Sequence, residues 1–176
     1  FPRGQVIELV TTPGAGLGTS LALAVCRAAQ REAAAEGQTS WCAFVDPSAS
    51  LYAPAVLEKG IDLKRLLVVR PPLEALTRVV LRLTEAKAFS VIVVDTMGHL
   101  GESEKAQRQQ VQNQQAQRQR AQSENKQAGS SWQQWVRTVR RLSMVIEGSH
   151  TQIILLTNQQ TRRSLPLPVG LRLELG

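Results

Sequence analysis

Aromatic residues are scarce in this sequence, at 4% of the total. Proteins that hold single-stranded nucleic acid without sequence preference stack its bases on aromatic side chains, so this scarcity argues against such a surface. Long apolar runs are missing as well, since no stretch approaches the roughly 18 residues that a membrane-spanning helix needs. The N-terminus has no basic segment followed by an apolar one, as a secretory signal has. We therefore expect a cytoplasmic protein with no membrane partner.

Cysteine and histidine are also rare, with two of each. Cys26 and Cys42 fall in a predicted helix and a predicted strand, where buried reduced thiols are the expected state and a disulfide is the alternative. Neither His99 nor His150 has a Cys, His or carboxylate at the spacing of metal ligands. We therefore expect no metal site.

Positive charge is in excess, with 21 Lys and Arg against 14 Asp and Glu and a formal net charge of +7. Such an excess favours an anionic partner, either nucleic acid or an acidic protein surface. The length of 176 residues and the apolar content of 43% fit one domain with a sizeable core.

Apolar runs alternate with helical patterns along most of the chain. Strands are predicted at residues 6–10, 41–45, 66–69, 91–95 and 153–159, and helical patterns separate the first four. Continuous apolar strands separated by helices are typical of a parallel sheet that is buried on both faces. The predicted fold class is therefore α/β. Residues 169–175 alternate apolar and polar side chains, which indicates a half-exposed edge strand.

The segment of residues 101–131 differs from the rest because it has ten glutamines and very few apolar side chains. It cannot contribute to a core, so it is either a solvated helix or a disordered loop. An amphipathic helix is predicted after it, from Trp132 to Ile146, with its aromatic stripe in the core. The polar side of that helix carries Arg137, Arg140 and Arg141.

The first strand leads into a glycine-rich turn and a long helix, which is the arrangement of a P-loop. In a P-loop, backbone N–H groups surround the phosphates, a lysine reaches the β and γ phosphates, and a Ser or Thr hydroxyl binds magnesium. Here the glycines Gly14, Gly16 and Gly18 and the hydroxyls of Thr19 and Ser20 are present. The lysine that should precede Thr19 is missing, and Gly18 occupies its position.

The order of these motifs resembles the RecA-like recombinase core along nearly the whole chain outside the glutamine-rich segment. The matching stretches are Gly4-Gln5-Val6-Ile7-Glu8-Leu9, Ala43-Phe44-Val45-Asp46, Val91-Ile92-Val93-Val94-Asp95 at the Walker B strand, and Thr157-Asn158-Gln159 before the second DNA-binding loop. The resemblance implies a single RecA-like domain over residues 1–176, with a Gln- and Arg-rich insert at about 101–131. It also implies a mostly parallel twisted sheet with helices on both faces and an antiparallel C-terminal edge strand over residues 170–175.

The sequence departs from this family at the catalytic residues. Besides the missing lysine, Ser48 lies where the family has the glutamate that polarises the attacking water, and a serine hydroxyl is too weakly basic to replace it. Asp95, Thr19 and Ser20 retain the chemistry to hold magnesium, and Gln159 lies where the family senses the γ phosphate. We therefore predict no ATPase activity and no cofactor, with weak binding of ATP and magnesium as the open alternative. The other interpretation of Asp95 is a strand-end carboxylate that caps a loop.

Among degenerate RecA-like proteins, the chain is similar to the ImuA family, the accessory proteins of bacterial damage-inducible mutagenesis cassettes. This similarity implies a non-catalytic adaptor in DNA damage tolerance and SOS mutagenesis (translesion synthesis), with RecA and a polymerase-like mutasome subunit as partners. The alternatives are a weak ATPase with an atypical P-loop and a basic DNA-binding protein. Contacts to DNA or to a partner would come from arginines that are equally compatible with a solvated surface: Arg108, Arg118, Arg120, Arg137, Arg140, Arg141, Arg162 and Arg163.

Overall fold

The structure, a computed structural model, describes residues 1–12, 16–96, 133–159 and 166–175. The strands of this part of the chain are β1 (Val6–Thr11), β2 (Cys42–Val45), β3 (Leu66–Val69), β4 (Val91–Asp95), β5 (Gln152–Asn158) and β6 (Leu171–Leu175). Its α-helices are α1 (Leu17–Ala35), α2 (Ala53–Glu58), α3 (Leu76–Glu85) and α4, which covers residues 133–146. None of the helices in these ranges is long and apolar enough to cross a membrane. The insert predicted at about 101–131 lies outside the described residues.

The strands form one parallel sheet in the order β3-β2-β4-β5-β1-β6. Helices lie against both faces, because α1 and the following α2 segment pack on one and α3 and α4 on the other. This confirms the predicted α/β class and the largely parallel sheet. The agreement has a physical reason. β1, β2 and β4 are buried at every residue, and a strand that is buried on both faces must be largely apolar, which is visible in the sequence.

The prediction of an antiparallel C-terminal edge strand is wrong. β6 pairs in parallel with β1, with Leu171 opposite Ile7 and Leu175 opposite Thr11. The reason is where the chain lies before the strand begins. The amide of Gly170 donates to the carbonyl of Val6 at 2.9 Å, so the chain has already returned to the amino end of β1 and can only run parallel to it. The alternating pattern of β6 carries no information on strand direction.

Two apolar cores lie on opposite faces of the sheet. On one face Trp135, Val139 and Leu142 of α4 pack with α3 on the sheet, so the aromatic position of α4 that the structure describes belongs to the core, as predicted. On the other face Cys26 and Cys42 are free and buried. The hydrogen bond with Cys42, together with burial, raises the pKa of the Cys26 thiol well above its ordinary value. This thiol therefore stays protonated and unreactive.

The carboxyl ends of the parallel strands all lie at one edge of the sheet. After β2 the chain continues to α2 on one face, whereas after β4 it continues to α4 on the opposite face. β2 and β4 are neighbours in the sheet, so their carboxyl ends form a switch point, where open α/β sheets place their ligands. We refer to this region as the carboxyl edge.

Candidate functional site

Helix α1 begins at the carboxyl edge, directly after Gly16, whose φ of 62° is one that glycine adopts without strain. Gly18 is buried in the first turn of this helix. A Cβ atom built on Gly18 would lie 2.8 Å from Cγ2 of Thr11 and 3.6 Å from Cδ2 of Leu156. Thr11 is itself fully buried in β1, and a β-branched side chain has little freedom to move away. The position of the missing lysine therefore has no room for a side chain.

The exposed residue at the start of α1 is Leu17, which keeps 46% of its surface accessible. The exposed side chain next to the predicted lysine position is thus apolar and carries no charge. Thr19 and Ser20 are half-buried in the same turn, and the Ser20 amide donates to the Gly16 carbonyl at 3.1 Å. Gly14 lies outside the described residues. The described residues therefore place a helix N-terminus at the predicted P-loop position, without a positive side chain in its first turn.

Asp46 organises the loop that follows β2. Its side chain is fully buried and accepts hydrogen bonds from the amides of Ser50, at 2.9 Å, and Leu51, at 3.0 Å. Burial alone would raise the pKa of this carboxyl, but the two amides and the hydroxyls of Ser48 and Ser50 outweigh burial and lower it. Asp46 is therefore held as a carboxylate whose role is to close the loop on itself.

Ser48, at the position of the family's catalytic glutamate, donates its hydroxyl hydrogen to Asp46 at 3.2 Å. The Ser48 hydroxyl therefore contributes to the hydrogen bonds that close the Asp46 loop. Arg70, which follows β3, supports the same loop from the other side. Its guanidinium lies 3.5 Å from Asp46 Oδ2 and 3.4 Å from the Leu51 carbonyl.

Ser50 connects the ends of β2 and β4 across the switch point. Its hydroxyl oxygen is 3.3 Å from Asp46 Oδ1 and 3.4 Å from Asp95 Oδ2, so one hydrogen serves both carboxylates. Asp95 is only 7% exposed. The crevice in which a Walker B carboxylate would meet magnesium is thus bridged by a side chain of the protein itself. No group of three or more His, Cys, Asp or Glu within the described ranges could hold a metal ion.

Gln159, the predicted phosphate sensor, is paired with the glycine turn. Its side-chain oxygen accepts a hydrogen bond from the Thr12 hydroxyl at 3.3 Å, and its backbone amide donates to the backbone carbonyl of Thr11 at 3.0 Å. The structure therefore brings the predicted residues of β1, β5 and α1 to the carboxyl edge. Ser48 and Asp95 lie at the same edge beyond β5.

Sequence reasoning missed three residues of this edge: Ser50, Arg70 and Thr12. The first had a visible signal, because an Asp followed by serines two and four residues later is typical of a loop closed by side-chain hydrogen bonds. Arg70 and Thr12 had none, because their contacts depend on which strands are neighbours.

The structure describes only some of the arginines that were predicted to contact DNA or a partner. Arg137, Arg140 and Arg141 are exposed on α4. Arg141 forms an ion pair with Glu85 of α3 at 2.9 Å, whereas Arg137 and Arg140 form no ion pair within the described part of the chain. The remaining candidates lie outside the described residues: Arg108, Arg118, Arg120, Arg162 and Arg163.

Comparison with known families places most of the sheet within a family domain. A family model described as the MT3502 N-terminal domain matches residues 3–122, which include the glycine turn, the Asp46 loop and Asp95.

Proposed function

The chain belongs to the MT3502 N-terminal domain family, and we propose that this member is a non-catalytic RecA-like adaptor in DNA damage tolerance. It would act in the cytoplasm as an ImuA-like accessory protein of SOS mutagenesis and translesion synthesis. Its partners would be RecA and a polymerase-like mutasome subunit, and it would need no nucleotide of its own.

One observation carries this proposal: the positions that would hold and cleave a triphosphate are occupied by internal contacts. A side chain at Gly18 would collide with Thr11, and Ser48 donates to Asp46. Ser50 bridges Asp46 to Asp95. The sheet and its helices are intact around this edge. An intact fold that lacks the lysine and the catalytic glutamate is compatible with a protein that acts by binding partners.

The energetic argument supports the same conclusion. A hydrogen bond to a charged group contributes about 1.5 to 3 kcal/mol, so losing the lysine contact alone weakens triphosphate binding roughly ten- to a hundredfold. Nothing at position 48 can activate water, because its hydroxyl is weakly basic and already donates to Asp46. We therefore expect no ATP hydrolysis above the uncatalysed background rate.

The test is association of the purified chain with RecA filaments, measured by light scattering and co-sedimentation at low salt, with and without a non-hydrolysable ATP analogue. The proposal predicts saturable binding to the filament. In parallel, calorimetric titration of the free chain with ATP and magnesium should give no saturable heat. Lack of any association with RecA, or a fully occupied ATP site in the free chain, would contradict the proposal.

Direct binding of DNA is the second candidate, because Arg137 and Arg140 are exposed on α4 and have no ion-pair partner in the described chain. Arg141 is a weaker candidate since Glu85 partly neutralises it. Phosphate contacts make affinity fall steeply with added salt. Charge reversal at Arg137 and Arg140 separates the two functions. A DNA-binding protein loses DNA affinity, whereas an adaptor that docks through other surfaces keeps its affinity for RecA.

A further inference from the structure

The outer surface of α3 and α4 carries a group of exposed arginines. The two helices pack on the same face of the sheet. Each of them leads into a parallel strand, α3 into β4 and α4 into β5, so both run away from the carboxyl edge and end where the strands begin. The exposed arginines of these helices form a surface that we call the basic face: Arg78, Arg82, Arg137, Arg140 and Arg141.

An ion pair shows which turns of the two helices are neighbours. Arg141 of α4 lies 2.9 Å from Glu85 of α3. One helical turn before this pair, α3 has Arg82 and α4 has Arg137, so these two arginines lie at the same level of the face. Arg78 lies one further turn along α3. Sequence reasoning missed the two arginines of α3, because only the packing of the helices places them beside those of α4.

Most of the positive charge of the basic face has no counterpart in the described part of the chain. Glu85 neutralises Arg141, whereas the other four arginines form no ion pair with any described residue. Arg78 and Arg82 are four residues apart on one helix, a spacing at which like charges repel each other. An anionic partner relieves this repulsion when it binds, so the charge of the face favours such a partner.

An exposed methionine lies among the arginines of α4. Met144 keeps 63% of its surface accessible. It follows Arg140 and Arg141 by four and three residues, so it lies on the same stripe of the helix. A phosphate backbone has no apolar group to cover this side chain, whereas a protein segment has several. The flexible methionine side chain packs against apolar groups of many shapes. The apolar contact therefore favours a protein over a nucleic acid.

Carboxylates at the two ends of the basic face favour a protein as well. Glu74 is exposed four residues before Arg78, and Glu147 is exposed three residues after Met144. A DNA duplex carries one negative charge for about every 1.7 Å of its axis, so a duplex that spans the face also brings phosphates close to these carboxylates. A peptide can place acidic residues opposite the arginines and neutral residues opposite the two glutamates.

We propose that the basic face binds an acidic helical segment of a partner protein. Acidic residues four positions apart on that segment pair with the arginines, because their separation of about 6 Å along the helix equals that of Arg78 and Arg82 along α3. An apolar side chain of the segment covers Met144. The proposal concerns other residues than those of the carboxyl edge. It does not depend on the adaptor function, because its test contains no RecA.

The first test titrates a fluorescently labelled, terminally blocked helical peptide with the full 176-residue chain and follows anisotropy. The peptide carries glutamates four residues apart and a stripe of leucines, and its control has glutamine in place of every glutamate. The acidic peptide should bind at one saturable site, with an affinity that falls as salt screens the exposed charges. The glutamine peptide should bind about tenfold more weakly or worse, because several exposed ion pairs are lost together. No saturable binding of the acidic peptide, or equal affinity for the glutamine peptide, would overturn the proposal.

Substitutions at physiological salt then locate the site. Arg82→Glu and Arg137→Glu should each weaken binding of the acidic peptide about three- to tenfold, because repulsion replaces an exposed ion pair. Arg31→Glu is the matched control, since it makes the same change of charge at an exposed arginine of α1, on the opposite face of the sheet. It should have almost no effect, because charges beyond about 8 Å are largely screened. Circular dichroism checks that the variants fold. An equal effect of all three reversals, or no effect of any, excludes this face.

A short labelled DNA duplex decides between protein and nucleic acid under the same conditions. The duplex should bind more weakly than the acidic peptide. Met144→Ala should weaken binding of the peptide about three- to tenfold, because apolar burial is lost, and should leave any affinity for the duplex unchanged. Tighter binding of the duplex than of the peptide, or a peptide affinity that does not respond to Met144→Ala, would contradict the proposal.

Discussion

The position of Thr11 next to Gly18 predicts how substitutions at Gly18 behave, because any Cβ atom there would meet Thr11. Gly18→Ala places a Cβ 2.8 Å from Thr11 Cγ2, about 1 Å closer than carbon atoms prefer. Overpacking of this kind costs about 1 to 3 kcal/mol. The gain in helix propensity on replacing glycine by alanine is about 1 kcal/mol. We therefore expect a net loss of up to about 2 kcal/mol in the free energy of unfolding, where a glycine free of contacts would give a gain.

A double-mutant cycle isolates this contact. Thr11→Ser removes the Cγ2 atom and leaves the hydroxyl, whose oxygen is 3.7 Å from the point that a Cβ on Gly18 would occupy, an ordinary contact distance. In the Thr11→Ser background the overpacking by Gly18→Ala should largely disappear, which corresponds to a coupling energy of about 1 to 3 kcal/mol. The measurement is urea unfolding at equilibrium, followed by tryptophan fluorescence and by circular dichroism.

Gly37→Ala is the matched control for this cycle. A Cβ on Gly37 meets no atom of the described residues within 4 Å, but its φ of +68° strains any other residue. The cost of Gly37→Ala therefore comes from the backbone and should be the same in both backgrounds. If Gly18→Ala stabilises the protein, or if its cost persists in the Thr11→Ser background, the steric explanation for the missing lysine is refuted.

Three further predictions concern the carboxyl edge and α4. Asp46→Asn should lower the free energy of unfolding by on the order of 2 kcal/mol at pH 7. Because folding lowers the pKa of Asp46, this difference should be present above the ordinary pKa of 3.8 and shrink as the pH falls below that value. A difference that does not depend on pH in urea titrations would contradict this prediction. Ser48→Glu, alone or with Gly18→Lys, should leave ATP hydrolysis at background in a phosphate-release assay, and a clear gain would show that the closed edge does not block catalysis. Charge reversal at Arg137 and Arg140 should reduce any DNA affinity and flatten its logarithmic salt dependence by up to about 2, which fluorescence anisotropy at several salt concentrations would measure.

The sheet could be predicted from the sequence because burial on both faces leaves a direct mark. Four strands are largely continuous apolar runs, and a sheet covered on both sides requires them. The direction of β6 could not be predicted from composition. The alternation from Leu171 to Leu175 reports one exposed face and is the same for parallel and antiparallel pairing. Here the family resemblance implied the wrong direction, and the return of the chain to Val6 decides it.

The candidate site was predicted as a set of residues but not as a set of contacts. Gly18, Ser48 and Asp95 do lie at the carboxyl edge, since the ends of parallel strands meet there. What the sequence could not indicate is that Ser50 joins two carboxylates, because that contact depends on β2 and β4 being neighbours although they are far apart in the chain. Nor could it indicate that the lysine position is sterically closed, because that depends on how closely Gly18 of α1 lies to Thr11 of β1.

In the function that we propose, these contacts make the absence of a triphosphate site a property of the packing rather than of two isolated substitutions. Restoring a lysine at Gly18 requires α1 to move away from β1, and restoring a glutamate at position 48 removes a hydrogen bond from the Asp46 loop. Each repair therefore destabilises a segment that is satisfied as it stands. We therefore expect that single substitutions at positions 18 and 48 do not produce ATP hydrolysis. The internal hydrogen bonds of the carboxyl edge stabilise the fold, and we expect any partner to bind at other surfaces.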